Sequence, residues 1–237
     1  MIQTIPVECY GASHIGYVRQ ENQDVWMAMP SEGVFFLADG MGGRKGGLMA
    51  ASLATDVLAE QLSSINISHL SSISEITDCV KNAFMTANLT ILNQAHKQAE
   101  LEGMGTTLLL LWILSDVAII AHVGDSRLYL LRKDRLQQLT QDHGFYAPNK
   151  EKTGSRWVLS RAVGVTSHLE VSIQVLAHQP GDLFMLCTDG LSSSMSGEQM
   201  KACLIQNKTL DLQASALISG ALNRGGRDNI TFILVKR

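Results

Sequence analysis

Short unbroken apolar runs and longer stretches with helical spacing divide this chain into predicted strands and helices. Residues 34–38 are wholly apolar and read as a buried strand, closed by Asp39-Gly40. A glycine-rich loop follows. A helix over about residues 47–62 then carries Ala51, Ala54, Leu58 and Leu62 on one stripe. The polar stretch 63–72 reads as a loop. Residues 74–98 read as a longer helix, with Ile76, Val80, Phe84, Ala87 and Ile91 on one face. Ser74 is its expected N-cap, and Glu75 sits where the helix dipole favours an acid.

Residues 107–114, 117–123 and 127–131 form a predicted β-meander, with turn signals at 115–116, 124–126 and 133–134. The polar stretch 141–156 carries Gly144, Pro148 and Gly154 and reads as a surface excursion. Residues 183–187 are another buried strand, ending in Asp189-Gly190. Helical patterns at about 197–205 and 211–222 precede a closing strand at 230–235. No repeat, low-complexity tract or linker interrupts the pattern, so residues 1–237 read as one domain. Strand-rich blocks with two separate helical pairs predict an α+β fold of antiparallel sheets covered by helices. The regular strand–helix alternation of a parallel doubly wound sheet is missing.

Composition narrows the function. Hydrophobic residues make up 46% of the chain, enough for a real core. The net charge of -3, without a basic cluster, argues against nucleic acid as the main partner. The longest apolar run, 108–114, is far short of the ~18 residues that span a bilayer, so no membrane partner is expected. The N-terminus lacks a secretory pattern. Cys9, Cys79, Cys187 and Cys203 are too scattered for a disulfide framework or a CxxC zinc site, and a cytoplasmic location is expected. None of them is followed six positions later by arginine, which excludes cysteine-based phosphatase chemistry. Monomer is the default, since no extended apolar stripe is left over.

The informative feature is aspartate beside glycine at strand ends: Ala38-Asp39-Gly40, Gly124-Asp125-Ser126 and Thr188-Asp189-Gly190. Asp228 stands just ahead of the last strand, and Asp24 follows Glu21-Asn22-Gln23. A carboxylate at the end of a core strand is costly unless paired, hydrogen-bonded or metal-bound. Several of them without a histidine or cysteine cluster make a hard oxygen site suited to Mg²⁺ or Mn²⁺. Any single Asp-Gly is a common turn, and spacing alone does not prove convergence.

The contexts of these acids resemble the metal-dependent protein phosphatases, the type 2C protein phosphatase family, in their compact bacterial form. The matching pieces are Gly16-Tyr17-Val18-Arg19-Gln20-Glu21-Asn22-Gln23-Asp24, Ala38-Asp39-Gly40-Met41-Gly42-Gly43 and Gly103-Met104-Gly105-Thr106-Thr107. They continue with His122-Val123-Gly124-Asp125-Ser126-Arg127, Leu159-Ser160-Arg161-Ala162-Val163-Gly164, Thr188-Asp189-Gly190-Leu191 and Arg227-Asp228-Asn229-Ile230-Thr231. All occur in the family's order along nearly the whole chain.

The resemblance implies a four-layer α-β-β-α sandwich, two packed antiparallel sheets flanked by helical pairs. It implies that Asp39 bridges two metal ions and that the Gly40 carbonyl binds one of them. Asp189 and Asp228 would complete the first ion's shell. Asp24 would support the second, and Asp125 with Asp189 would form a weaker third site. Arg19 would grip the substrate phosphate, for which a guanidinium fork is well shaped. The implied reaction is hydrolysis of phosphoserine or phosphothreonine by a metal-activated water, without a phosphoenzyme. The implied partners are phosphorylated proteins and a bacterial serine/threonine kinase acting in the opposite direction in signalling.

This chain departs from the family pattern in places. Gln23 stands where many relatives carry glutamate, Met41 where eukaryotic relatives carry histidine, and the flap near 142–158 is short. His143 is read as a surface or structural histidine and His122 as a packed one. Trp26, Trp112 and Trp157 are read as core or flank residues. Arg44 and Lys45 read equally as a phosphopeptide lure or a solvated loop. Two other functions fit the same fold: a phosphatase-fold binding module without turnover, and a small-molecule phosphatase. Retention of Asp39, Asp189, Asp228 and Arg19 ranks the protein phosphatase first.

Overall fold

The structure, a computed structural model, describes residues 3–148 and 154–237. Its first part runs β1 (Glu8–His14), β2 (Asp24–Met29), β3 (Val34–Met41), α1 (Gly43–Ser63) and α2 (Ile73–Lys97). A meander follows: β4 (Gly105–Thr106), β5 (Leu108–Ile113), β6 (Val117–Val123), β7 (Arg127–Arg132) and β8 (Arg135–Gln138). Then come β9 (Gly144–Pro148), β10 (Ser155–Leu159), β11 (Ser172–Ala177) and β12 (Leu183–Cys187). The chain closes with α3 (Asp189–Ser192), α4 (Gly197–Gln206), α5 (Leu210–Leu222) and β13 (Ile230–Lys236).

The strands pair antiparallel into a six-stranded sheet, β11-β6-β5-β3-β2, with β4 added to β3, and a five-stranded sheet, β1-β13-β12-β7-β8. Side chains alternate across each strand, and here both faces are apolar, which is why the central strands read as unbroken runs. Phe35, Leu37, Leu109, Leu111 and Ile120 pack with Leu128, Phe184, Leu186, Ile233 and Val235 between the sheets. The alternate residues Val34, Phe36, Leu108 and Leu110 pack outward with Leu58, Val80 and Phe84 of α1 and α2. On the far side Met185, Cys187, Phe232 and Leu234 pack with Met200, Leu204 and Leu217 of α4 and α5. The result is the expected α-β-β-α sandwich.

Four expectations are corrected. The α2 cap is Ser72: its hydroxyl accepts from the Glu75 N–H at 3.2 Å, and the Glu75 carboxylate accepts from the Ser71 N–H at 2.9 Å. Ser72 and Glu75 have the three-residue spacing a capping pair needs, whereas Ser74 already lies in the first turn. Helix α1 begins at Gly43 rather than near 47, after Gly42 in a left-handed conformation (φ 118°). A short 3-10 turn (Ile67–His69) interrupts the stretch read as loop. The stretch read as a surface excursion, 141–156, holds β9 and the first two residues of β10, and the two strands pair with Trp157 opposite Tyr146. The structures of residues 149–153 and the side chains of Arg44 and Lys45 lie outside the described residues.

Candidate active site

The acids converge at one end of the sandwich, where the two sheets meet. Asp39 lies in β3 of the six-stranded sheet, and Asp24, first in β2, is its register partner. Asp189 opens α3 directly after β12, and Asp228 lies two residues before β13, both in the five-stranded sheet's territory. Asp125 sits in the turn between β6 and β7. A cleft of about 1110 Å³ is lined by Asp39, Gly40, Asp125, Asp189 and Asp228, with Arg19 on its wall. Asp24 is buried beneath it, outside the lining.

Close backbone approach makes this possible. A Cβ at Gly40 would run into the Gly47 carbonyl, and one at Gly190 into the Asn229 carbonyl. Glycine at both places lets α1 and the β13 entry close on the strand ends that carry Asp39 and Asp189.

Hydrogen bonds hold the acids and the segments that carry them. The Thr188 hydroxyl donates to Asp24 Oδ2 at 2.9 Å. The Asp39 N–H donates to Thr107 Oγ1 at 2.9 Å, while Thr106 Oγ1 donates to the Asp39 carbonyl at 2.9 Å. Arg19 Nη2 donates to Asp228 Oδ2 at 2.6 Å. Asn229 fastens the Arg19 loop: its Oδ1 accepts from the Gln23 N–H, and its Nδ2 donates to the carbonyls of Ile15 and Glu21. Sequence reasoning gave no role to Thr107, Thr188 or Asn229. Their signal was only adjacency to the acids.

Burial and mutual repulsion raise the pKa values of Asp24, Asp39, Asp125 and Asp189. The Asp39 carboxyl is pushed well up, first by desolvation and then by Asp24, Asp189, Asp228 and Asp125. Desolvation pushes Asp24 up to about 7, against the opposing hydroxyls of Thr231 and Thr188. Asp189 is raised to about 6 by burial and by Asp125. The Arg19 guanidinium is raised by its bond to Asp228. A cluster of acids, Asp24 and Asp125 buried and Asp39, Asp189 and Asp228 half-buried, faces one arginine and carries excess negative charge, which hard divalent cations would offset. Among the described residues no three acidic, histidine or cysteine side chains form a ready-made cage around one ion. The fit therefore rests on charge, oxygen chemistry and a solvent-open cleft, with Gly40 on its lining.

Trp157 departs from its reading as a core or flank residue: it lines the cleft, and its Nε1 donates to Asp125 Oδ2 at 2.7 Å. Trp112 is fully in the core, as read. His122 and His143 are structural: both are buried and their rings stack at 4.5 Å.

The family profile for protein phosphatase 2C matches residues 10–215. The serine/threonine phosphatase stp of Listeria innocua serovar 6a is 33% identical over 235 residues, covering 94% of this chain and 92% of that one. The S. agalactiae serine/threonine phosphatase superposes with a TM-score of 0.87 at 30% identity, over 97% of this chain and 99% of that chain. The catalytic domain of the serine threonine protein phosphatase PstP, in complex with two manganese ions, gives 0.82 at 30% identity over 97% of each chain. Fold and relatives define a metal-dependent phosphoprotein phosphatase. The chain belongs to the protein phosphatase 2C family.

Proposed function

We propose that this cleft hydrolyses phosphoserine and phosphothreonine in protein substrates, with Asp39 at its centre. Asp39, the Gly40 carbonyl, Asp189 and Asp228 would hold one divalent ion. Asp39, with support from Asp24, would hold a second, and Asp125 with Asp189 a weaker third. Bound Mn²⁺ or Mg²⁺ supplies the charge that ionises a water near neutral pH and offsets the phosphoryl oxygens. The protein's part is to position and to desolvate. Buried Thr107 holds the Asp39 backbone, and buried Thr188 orients the Asp24 carboxylate. Arg19, on the cleft wall and anchored to Asp228, carries a fork shaped for a phosphate.

The observation that carries this reading is the meeting of Asp39, Asp189, Asp228 and Arg19 from distant parts of the chain around one cleft. The test is hydrolysis of a phosphothreonine peptide by metal-stripped protein, with and without Mn²⁺ or Mg²⁺. Turnover that needs metal and disappears in Asp39→Asn supports the assignment. Turnover without metal, or full activity in Asp39→Asn, overturns it.

Phosphoprotein substrates imply a serine/threonine kinase acting in the opposite direction in signalling, and a phosphoproteome unchanged by deleting the gene would count against that. The chain would act as a single-domain monomer in the cytoplasm. Light scattering on the purified protein tests the monomer, and fractionation tests the location. No described helix is long and apolar enough to cross a membrane.

A further inference from the structure

The β9–β10 pair is fastened to the turn that carries Asp125. The Gly124 N–H donates to His143 Nδ1 at 3.1 Å, and the His143 N–H donates to the Gly124 carbonyl at 3.0 Å. The third tie is the Trp157 indole N–H on Asp125 Oδ2 at 2.7 Å. It differs from the other two because it uses the carboxylate itself.

The indole is held in place from both sides. A Cβ on Gly144 would strike its ring, so glycine there admits it. Tyr146, its cross-strand partner, meets it edge-on with centroids 5.1 Å apart and planes at 68°. Trp157 is 37% exposed, yet its N–H points at an acid that is only 7% exposed. An N–H and a divalent cation both need the lone pairs of that oxygen, and the two positive partners repel each other.

We propose that Trp157 is a positioning residue whose indole N–H holds the Asp125 carboxylate, and that a divalent cation binding at Asp125 competes with that bond. This rests on the reading of Asp125 as a cation ligand. Displacement frees one tie of β10, whose residues Trp157, Val158 and Leu159 form a wall of the cleft. Occupancy at Asp125 and the width of the substrate entrance are then linked. The ion at Asp125 is weak because it competes with a donor the protein already supplies.

Trp157→Phe tests this directly, since phenylalanine keeps an aromatic ring beside Tyr146 and removes the donor. Mg²⁺ is titrated into metal-stripped wild type, Trp157→Phe and Asp125→Asn, and followed by calorimetry and by indole fluorescence. Mg²⁺ is diamagnetic and does not itself quench the indole. The wild type shows a weak step, absent in Asp125→Asn, with an accompanying fluorescence change. In Trp157→Phe that step tightens about tenfold, the scale of a lost charge-assisted hydrogen bond, and the fluorescence change disappears although Trp26 and Trp112 remain. An equal weak-step affinity in wild type and Trp157→Phe would assign Trp157 a packing role only and overturn the proposal. Absence of any step removed by Asp125→Asn would overturn it together with the Asp125 assignment. Metal-dependent peptide hydrolysis in the same preparations would leave the phosphatase reading standing in either case.

Discussion

Asn229 accepts the Gln23 N–H at 2.9 Å, joining the entry of the last strand to a loop 206 residues earlier. The same side chain donates to the Ile15 and Glu21 carbonyls, so it grips the loop on both sides of Arg19. Asn229→Ala removes three part-buried hydrogen bonds and is expected to cost about 1–3 kcal/mol of stability. Arg19 loses its fixed approach to the cleft, so KM for a phosphopeptide should rise about tenfold, more than kcat falls. Urea unfolding and steady-state kinetics check both parts. An unchanged KM would detach Arg19 from substrate binding.

Asp39→Asn separates stability from turnover. The half-buried carboxylate lies near four others that raise its pKa, so the metal-free protein gains by losing it. The variant should fold, with a metal-free Tm at or above that of the wild type. Turnover should fall ~10³-fold or more. Saturating Mn²⁺ should stabilise the wild type by about 2.7 kcal/mol at one hundred times Kd for a single site. Asp39→Asn should lose most of that gain. Thermal melts with and without Mn²⁺ read both effects.

The strands that were legible in the sequence are those buried on both faces. β3, β5, β6, β12 and β13 carry apolar side chains toward the second sheet and toward the helices, so they appear as unbroken runs. The edge strands β1, β2, β8 and β11 were missed because their exposure is mixed. Gly11 in β1 looks like a breaker, yet it is there because the Trp26 ring fills the space a Cβ would take. In the site, acids beside glycine at the ends of apolar strands were visible. Their convergence and the part of Asp24 came only through the family resemblance. The bond from Trp157 to Asp125 was not legible, because it depends on β9–β10 register and on which side of β10 faces the cleft.

The cap of α2 offers a test free of the active site. Ser72→Ala removes the acceptor for the Glu75 N–H and should cost about 1 kcal/mol. Ser74→Ala, inside the first turn, should stay within about 0.5 kcal/mol of the wild type. Metal-dependent activity per folded molecule should be unchanged in both. Equal losses in the two variants would contradict the cap.

His143 predicts how stability falls on the acid side. Burial first, then His122 and Arg161, push its pKa down to about 4, with Asp142 opposing. His122, stacked on it, is also lowered, chiefly by burial. The neutral ring is needed because His143 Nδ1 accepts the Gly124 N–H, which a protonated nitrogen cannot do. The unfolded chain binds the proton near pH 6.5, and the folded chain resists it until about pH 4. The contribution of the neutral ring is therefore fully present above pH 6.5 and is lost as pH falls toward 4. In His143→Gln, which keeps an acceptor and does not titrate, the loss over that window should be smaller by about 1–2 kcal/mol. Denaturant melts at pH 7.5, 6, 5 and 4.5 on both proteins measure the difference. Parallel curves would show that His143 is not held neutral by the fold.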